Sequence, residues 1–336
     1  MRPSAGAVGR AWLAALFLAG CTAAAPLPPS AAPATDTAPA PAPPSETAPA
    51  VARPLTVPAP PPSPESTGTP PPTATVNAPP PVVIISIDGL RADALAQARV
   101  PNLQALTRRG AYSLQAQTIF PPATLPAHAS MLTGLPPAAH GVDWNDYLPE
   151  RGVITSTLFL SARAAGLRTV LVAGKEKFAH FDAPGALDAY VFATGGDQDV
   201  VDQALVQAQA GFGLLVVHLP NTDYFGHLTG WMSETYLFQL TRTDEAVGRL
   251  LAALPADTLV IVTADHGGLG LTHGLRRPED MTIPWLIAGP RVRAGYALTT
   301  PVSVMDTAAT AACVLGLALP PEAQGRPVQE AFAAGC

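Results

Sequence analysis

Leu259–Gly268 reads LVIVTADHGG. Its first five residues are an apolar, β-branched run of the length expected for a strand buried on both faces. Asp265 and His266 follow at the end of that run, with two glycines behind them. Side chains alternate along a strand, but the alternation breaks where the strand ends, so adjacent ligands can converge there and glycines allow close backbone approach. The same layout recurs twice. Pro81–Ile87, PVVIISI, runs directly into Asp88, and Gly213–Leu219, GLLVVHL, is followed after a short gap by Asp223. In open α/β sheets ligands bind beyond the carboxyl ends of the strands. Three acidic residues at three such ends predict a single site.

Working outward, helical spacing covers Ala92–Arg109 (interrupted at Pro101 and closed by Gly110), Ile154–Ala165, Val200–Gln209, Ser233–Leu254 and Asp306–Leu315. Ala111–Ile119 alternates like a half-buried strand, while Thr169–Ala173 and Pro284–Ala288 are short buried runs. This alternation predicts an α/β fold over residues 82–336: one domain whose central, mostly parallel sheet is covered by helices on both faces. No internal repeat is present.

The N-terminal quarter is different. Arg2 and Arg10 flank an apolar stretch, Ala11–Gly20, too short to span a bilayer. It ends in Leu18-Ala19-Gly20-Cys21, which resembles a bacterial lipobox. That resemblance implies a lipoprotein signal peptide over residues 1–20, lipidation at Cys21, and a membrane-anchored protein on the periplasmic or cell-surface side; an ordinary secretory signal is the alternative. More than half of the 39 prolines lie between Pro26 and Pro81, and residues 22–81 hold four charges, Asp36, Glu46, Arg53 and Glu65. Such a segment buries too little apolar surface to offset its ordering entropy. It reads as a Pro-rich tether over residues 21–81, reaching on the order of 180 Å in polyproline form. The net charge of −6 offers no basic stripe and argues against a nucleic-acid surface. Cys313 and Cys336 remain as a possible disulfide, or Cys313 as a small buried hydrophobe.

Each candidate site residue has a plainer reading. Asp88 before Gly89 suits an Asx turn. Asp223 and His227, in NTDYFGH, are four apart and share a face on a helical turn, as two ligands of one cation would; a helix cap and a solvated imidazole are the alternative. His273, in LTHG, is seven residues beyond His266, within loop reach, or is a surface histidine. Phe120–Gly134, FPPATLPAHASMLTG, sets Thr124 between prolines where a helix can begin. Its hydroxyl suits a helix N-cap, and also a nucleophile beside a metal, since a helix N-terminus favours an adjacent anion.

Taken together, SIDGLRAD, FPPATLPAHASMLTGLPPAAHGVDWN, NTDYFGH and TADHGG resemble the alkaline phosphatase superfamily, and within it the type I phosphodiesterase/nucleotide pyrophosphatase branch. The matching pieces span Ser86 to Gly274. The resemblance implies two zinc ions, one held by Asp223, His227 and His273 and the other by Asp88, Asp265 and His266, with Thr124 as nucleophile. It implies that Asn145, in HGVDWN, holds a non-bridging phosphate oxygen; a turn residue is the alternative. His273 lies closer to the Asp-His pair than the third histidine of many members. The sulfatase pattern, Cys or Ser followed by x-Pro-x-Arg, is absent at Thr124-Leu125-Pro126-Ala127-His128. No arginine stands near Thr124 in place of the monoesterase phosphate clamp. Plainer roles remain for His128 and His140 (positioning the nucleophile loop), for Lys175 and Lys177 (beside the substrate or at a strand end), and for Trp144, Tyr224 and Trp231 (a stacking face or packing).

The expected function is an extracytoplasmic two-zinc phosphodiesterase acting on a small phosphate ester through a phosphothreonine intermediate. A phosphomonoesterase or phosphonate hydrolase, and a non-catalytic metal-binding surface lipoprotein, are the alternatives. No protein partner is inferable from the sequence.

Overall fold

Every residue of Val82–Ile87 (β1), Thr169–Ala173 (β3), Leu214–Leu219 (β5) and Leu259–Thr263 (β6) is buried, so both faces of the sheet they form are covered. Ala111–Gln117 (β2), Ala189–Phe192 (β4), Thr282–Ala288 (β7) and Tyr296–Ala297 (β8) complete eight strands in the order β4-β3-β5-β1-β6-β7-β2-β8. The computed structural model describes residues 79–336, and the expectations for the signal segment, Cys21 and most of the tether lie outside them. Only β7 runs against its neighbours, β6 and β2. The sheet is therefore mostly parallel, and the sequence-based fold class holds.

The helices are Pro101–Arg109 (α1), Thr124–Thr133 (α2), Pro137–His140 (α3), Leu158–Ala164 (α4), Asp197–Gln209 (α5), Asn221–Thr229 (α6), Glu234–Ala253 (α7), Pro278–Met281 (α8) and Asp306–Leu315 (α9). Helices α1, α5 and α6 pack on α7, while α2 packs on α9 and both α2 and α9 pack on α4. Ser233 caps α7 by accepting a hydrogen bond from Tyr236 N, the N-terminus its sequence forecasts. Among the described residues, no helix is long and apolar enough to cross a membrane.

Several boundaries differ from expectation: β2 stops at Gln117, α5 starts at Asp197 and β7 starts at Thr282. Ala92–Arg109 divides into a 3₁₀ turn, Ala92–Ala96, and α1, because Pro101 starts a new helix at its first position. The expected helix from Ile154 begins only at Leu158: the Ile154 N–H bonds to His180 O, and Thr157 is extended. Pro284, inside β7, cannot donate to a ladder, and β2 shifts register opposite this stretch, between Ser113 and Ala116.

At the C-terminus, Cys313 near the end of α9 is joined by a disulfide to Cys336. Within the chain enclosed by that bond, Gln324 N and Gly325 N both donate to Gly134 O, the left-handed residue that closes α2. The last segment thus holds the foot of the helix that Thr124 begins.

Candidate active site

The strand ends bring the acidic residues together. Asp88 leaves β1, Asp265 and His266 leave β6, and α6 starts two residues before Asp223. Strands β5, β1 and β6 are adjacent, so all four side chains converge at one end of the sheet. Asp88, Asp265 and His266 offer ligand atoms within 4.8 Å of one another, and so do Asp223, His266 and His273. His266 therefore lies between two groups. His227 stands at the margin, its Nε2 3.5 Å from Asp223 Oδ1 and its side chain 44% exposed. The expected grouping of Asp223, His227 and His273 is thus supplemented by His266, whose ring stacks on His273 with centroids 3.7 Å apart.

Hydrogen bonds fix what these atoms can do. His266 Nδ1 bonds Gly267 O, His273 Nδ1 bonds Pro122 O and His227 Nδ1 bonds Leu271 O, at 2.8, 2.8 and 2.9 Å. A carbonyl only accepts, so each Nδ1 carries the proton, and in the neutral ring each Nε2 presents a lone pair. For His273, burial and the neighbouring His266 push the imidazole down to about 4, which keeps it neutral. Among the described residues, seven buried side-chain nitrogen or oxygen atoms lack a hydrogen-bond partner. Four are here: Asp88 Oδ1, Asp223 Oδ1, Asp265 Oδ2 and His266 Nε2. His266 Nε2 is 3.4 Å from Asp88 Oδ1, 3.3 Å from Asp265 Oδ2 and 3.9 Å from Asp223 Oδ1. Lone pairs facing one another in a buried space are costly unless a cation or a proton lies between them, and the upward push on Asp265 is the same cost expressed as proton uptake. This nitrogen and carboxylate donor set fits zinc or a similar divalent ion.

Thr124 heads α2 and is 1% exposed. The N-cap position belongs to Ala123, so the Thr124 hydroxyl makes no cap bond and the plainer reading of it falls away. Asn145 Oδ1 accepts from Leu125 N at 2.8 Å. That bond uses the acceptor end of the amide and holds the side chain against the backbone one residue after Thr124. His128 Nδ1 donates to Thr124 O and its Nε2 accepts from Ser86 Oγ, at 2.7 and 2.8 Å. Burial, then the nearby His218, holds His128 well below its ordinary value, so it is a neutral strut.

Two residues play larger parts than their sequence context showed. His218, in the apolar strand β5, bonds Asp88 Oδ2 through Nε2 at 2.7 Å, while its Nδ1 accepts from Gly174 N. A histidine inside a wholly apolar strand run was the available signal, because a buried polar group needs a partner. Lys175, just beyond β3, places Nζ 2.7 Å from both Asp88 Oδ2 and Asp223 Oδ2 and 3.4 Å from Thr124 Oγ1. Burial lowers its ammonium, but the Asp88 and Asp223 charges outweigh burial and keep it protonated. Burial also raises Asp88, yet Lys175, His218 and His266 together hold it well below the usual carboxylate range. Burial and the Asp88 charge push Asp265 well above that range.

The closeness of His273 to His266 follows from β7. A reversed strand starts at the same end of the sheet where β6 stops, so the connection needs no crossover helix. The loop folds back on itself: Leu269 pairs with Thr272, Arg277 Nη2 donates to Leu269 O and Thr272 O, and Asp280 accepts from Leu275 N and Arg277 Nε. Trp231 is buried behind it, 4.9 Å from the His227 ring and 5.9 Å from the His273 ring. Trp231 Nε1 and Tyr236 OH both donate to Gly89 O, steadying the turn after Asp88. Tyr224, by contrast, is exposed beside the site.

A model of type I phosphodiesterase / nucleotide pyrophosphatase matches residues 82–165 and 167–278. The chain belongs to this family. It is 26% identical over 287 residues to the catalytic subunit of GPI ethanolamine phosphate transferase 2 of Homo sapiens, covering 74% of this chain and 28% of that protein. It is 26% identical over 220 residues to an uncharacterized pyrophosphatase/phosphodiesterase of Schizosaccharomyces pombe, covering 55% and 44%. Ectonucleotide pyrophosphatase/phosphodiesterase family member 3 of Rattus norvegicus is 25% identical over 216 residues, covering 56% and 25%. The chain thus spans less than half the length of each of these curated relatives. Among solved structures, murine ectonucleotide pyrophosphatase/phosphodiesterase 5, in complex with AMP, superposes with a TM-score of 0.67 at 16% identity, covering 76% of this chain and all of that one. A 2-O glycosaminoglycan sulfatase shares the fold at a TM-score of 0.58 and 15% identity, covering 74% and 73%.

Proposed function

We propose that this phosphodiesterase-family hydrolase cleaves small phosphate diesters with two divalent cations, zinc by preference, and a phosphothreonine intermediate at Thr124. The observation that carries the reading is the convergence of four partnerless lone-pair atoms beside a buried, uncapped threonine hydroxyl. Asp88, Asp265 and His266 would hold one ion, and Asp223, His227 and His273 the other, with His266 at the boundary between the groups. Bound there, such ions supply Lewis-acid charge that makes a nearby hydroxyl or water a better nucleophile and offsets phosphate charge.

The chain's own residues do the rest. Thr124 Oγ1 forms a bond to phosphorus as the bond to the departing ester oxygen breaks, and its proton leaves to solvent. Water then attacks the same phosphorus, the Oγ1–P bond breaks, and the hydroxyl is restored. Asn145 is oriented by Leu125 N so that its NH₂ donates to a non-bridging oxygen. His128 fixes the carbonyl of Thr124, and through it the head of α2.

The expected result of zinc reconstitution is two ions per chain by elemental analysis, a higher melting temperature, and turnover of bis-aryl phosphates that a chelator abolishes. One ion or none in folded, reconstituted protein would sink the two-metal reading. The second proposal concerns location. Leu18-Ala19-Gly20-Cys21 supports cleavage before Cys21 and lipidation of its thiol, which would anchor the domain outside the cytoplasm on a Pro-rich tether. Fractionation should find the wild type with membranes and Cys21→Ala released or unprocessed; a wild type that is soluble throughout refutes the anchor.

A further inference from the structure

We infer that Lys175 is a specificity-determining cation that touches the transferred phosphoryl group and sets how far the site favours a singly charged ester over a doubly charged one; this rests on the phosphoryl-transfer reading above. An ammonium has three N–H donors. Two carboxylate oxygens, Asp88 Oδ2 and Asp223 Oδ2, lie 2.7 Å from Nζ, and Thr124 Oγ1, a third polar partner, lies 3.4 Å away. A phosphorus atom joined to Oγ1 places its non-bridging oxygens one bond further out, within reach of that same N–H.

The carboxylates keep the lysine charged without using up the site. Each gives Lys175 one oxygen, and the other oxygen of each, Oδ1, remains partnerless. Lys175 and a cation therefore do not compete for the same atoms. Beyond Lys175 opens a cavity of about 480 Å³, lined by Gly174, Gly196, Asn221, Asp223 and Tyr224 among others. Lys175 thus both lies 3.4 Å from the nucleophile and lines a space open to an ester group.

Charge decides the consequence. At equal distance a fixed cation attracts a group bearing two negative charges about twice as strongly as one bearing a single charge. Asn145 brings only neutral donors. The two residues pull selectivity in opposite directions, Asn145 toward diesters and Lys175 toward monoesters. The competing reading makes Lys175 a structural counter-ion for Asp88, Asp223 and Asp265; that role predicts equal losses for both ester types.

The test uses the full chain, wild type and Lys175→Met, with one aryl phosphate monoester, one bis-aryl phosphate and inorganic phosphate as probes at one pH. We expect Lys175→Met to keep the wild-type metal content, to weaken phosphate binding about tenfold or more, and to raise the diester-to-monoester ratio of kcat/KM by a similar factor. Lys175→Arg, which keeps the charge, should leave that ratio within about threefold of wild type. Should the methionine variant not fold, Lys175→Gln reads the same ratio. A ratio unmoved by charge removal, or moved equally by Lys175→Arg, overturns the inference, as does loss of metal in step with loss of activity. If the wild type turns over neither ester, the phosphoryl-transfer reading fails separately, and an unchanged phosphate affinity in Lys175→Met would then overturn the role of the lysine.

Discussion

Thr124→Ala should remove turnover of bis-aryl phosphates, by roughly four orders of magnitude or more, as when a covalent nucleophile is deleted. Folding should survive the change. The hydroxyl caps nothing, Ala123 holds the N-cap position, and all of α2 is buried against neighbours that do not depend on Oγ1. Metal content should stay near the wild-type value, because Asp88, Asp223, Asp265, His266 and His273 remain. Thr124→Ser keeps the hydroxyl and should keep part of the activity. An alanine variant with the wild-type rate would refute covalent catalysis at this position.

Asn145→Ala should lower kcat/KM by roughly one to three orders of magnitude, the effect of removing one preorganised oxyanion donor. Asn145→Asp sharpens the experiment. An aspartate can still accept from Leu125 N, so the local fold is kept, but the free end of the side chain changes from donor to anion. It should be at least as damaging as alanine, with a melting temperature close to wild type. Asn145→Asp at the wild-type rate would show that the amide NH₂ contributes no donor in the transition state.

The sequence disclosed most about the fold where burial is complete. Strands β1, β3, β5 and β6 are covered on both faces, so their apolar runs are unbroken and easy to read. Ala189–Phe192 has four residues, all at least partly exposed, and β8 has two; neither carries enough periodicity to announce itself. The reversal of β7 was hidden because direction is not a property of composition. Its effect was nonetheless visible as the short interval from His266 to His273. Asp88, Asp265 and His266 were legible because strand ends collect ligands. Lys175 was legible only as a lysine beside the substrate or at a strand end; its pairing with Asp88 and Asp223 comes from β3, β5 and β1 lying side by side, an order fixed only by tertiary packing. His218 depended on the same adjacency: it stands opposite Ser86 across β5 and β1, next to the position from which Asp88 departs.

The disulfide between Cys313 and Cys336 acquires a mechanical meaning from its surroundings. The bonded segment grips Gly134, at the foot of α2, through two backbone hydrogen bonds, and Thr124 is the head of that helix. Ten residues make a rod about 15 Å long. A tilt of a few degrees about the foot swings the head by about 1 Å, a displacement that can matter a hundredfold to a reacting atom. The clasp is thus a stiffener at the opposite end of a lever from the chemistry. The covalent closure of the last segment and the placement of the Thr124 hydroxyl thus share one rigid element, α2.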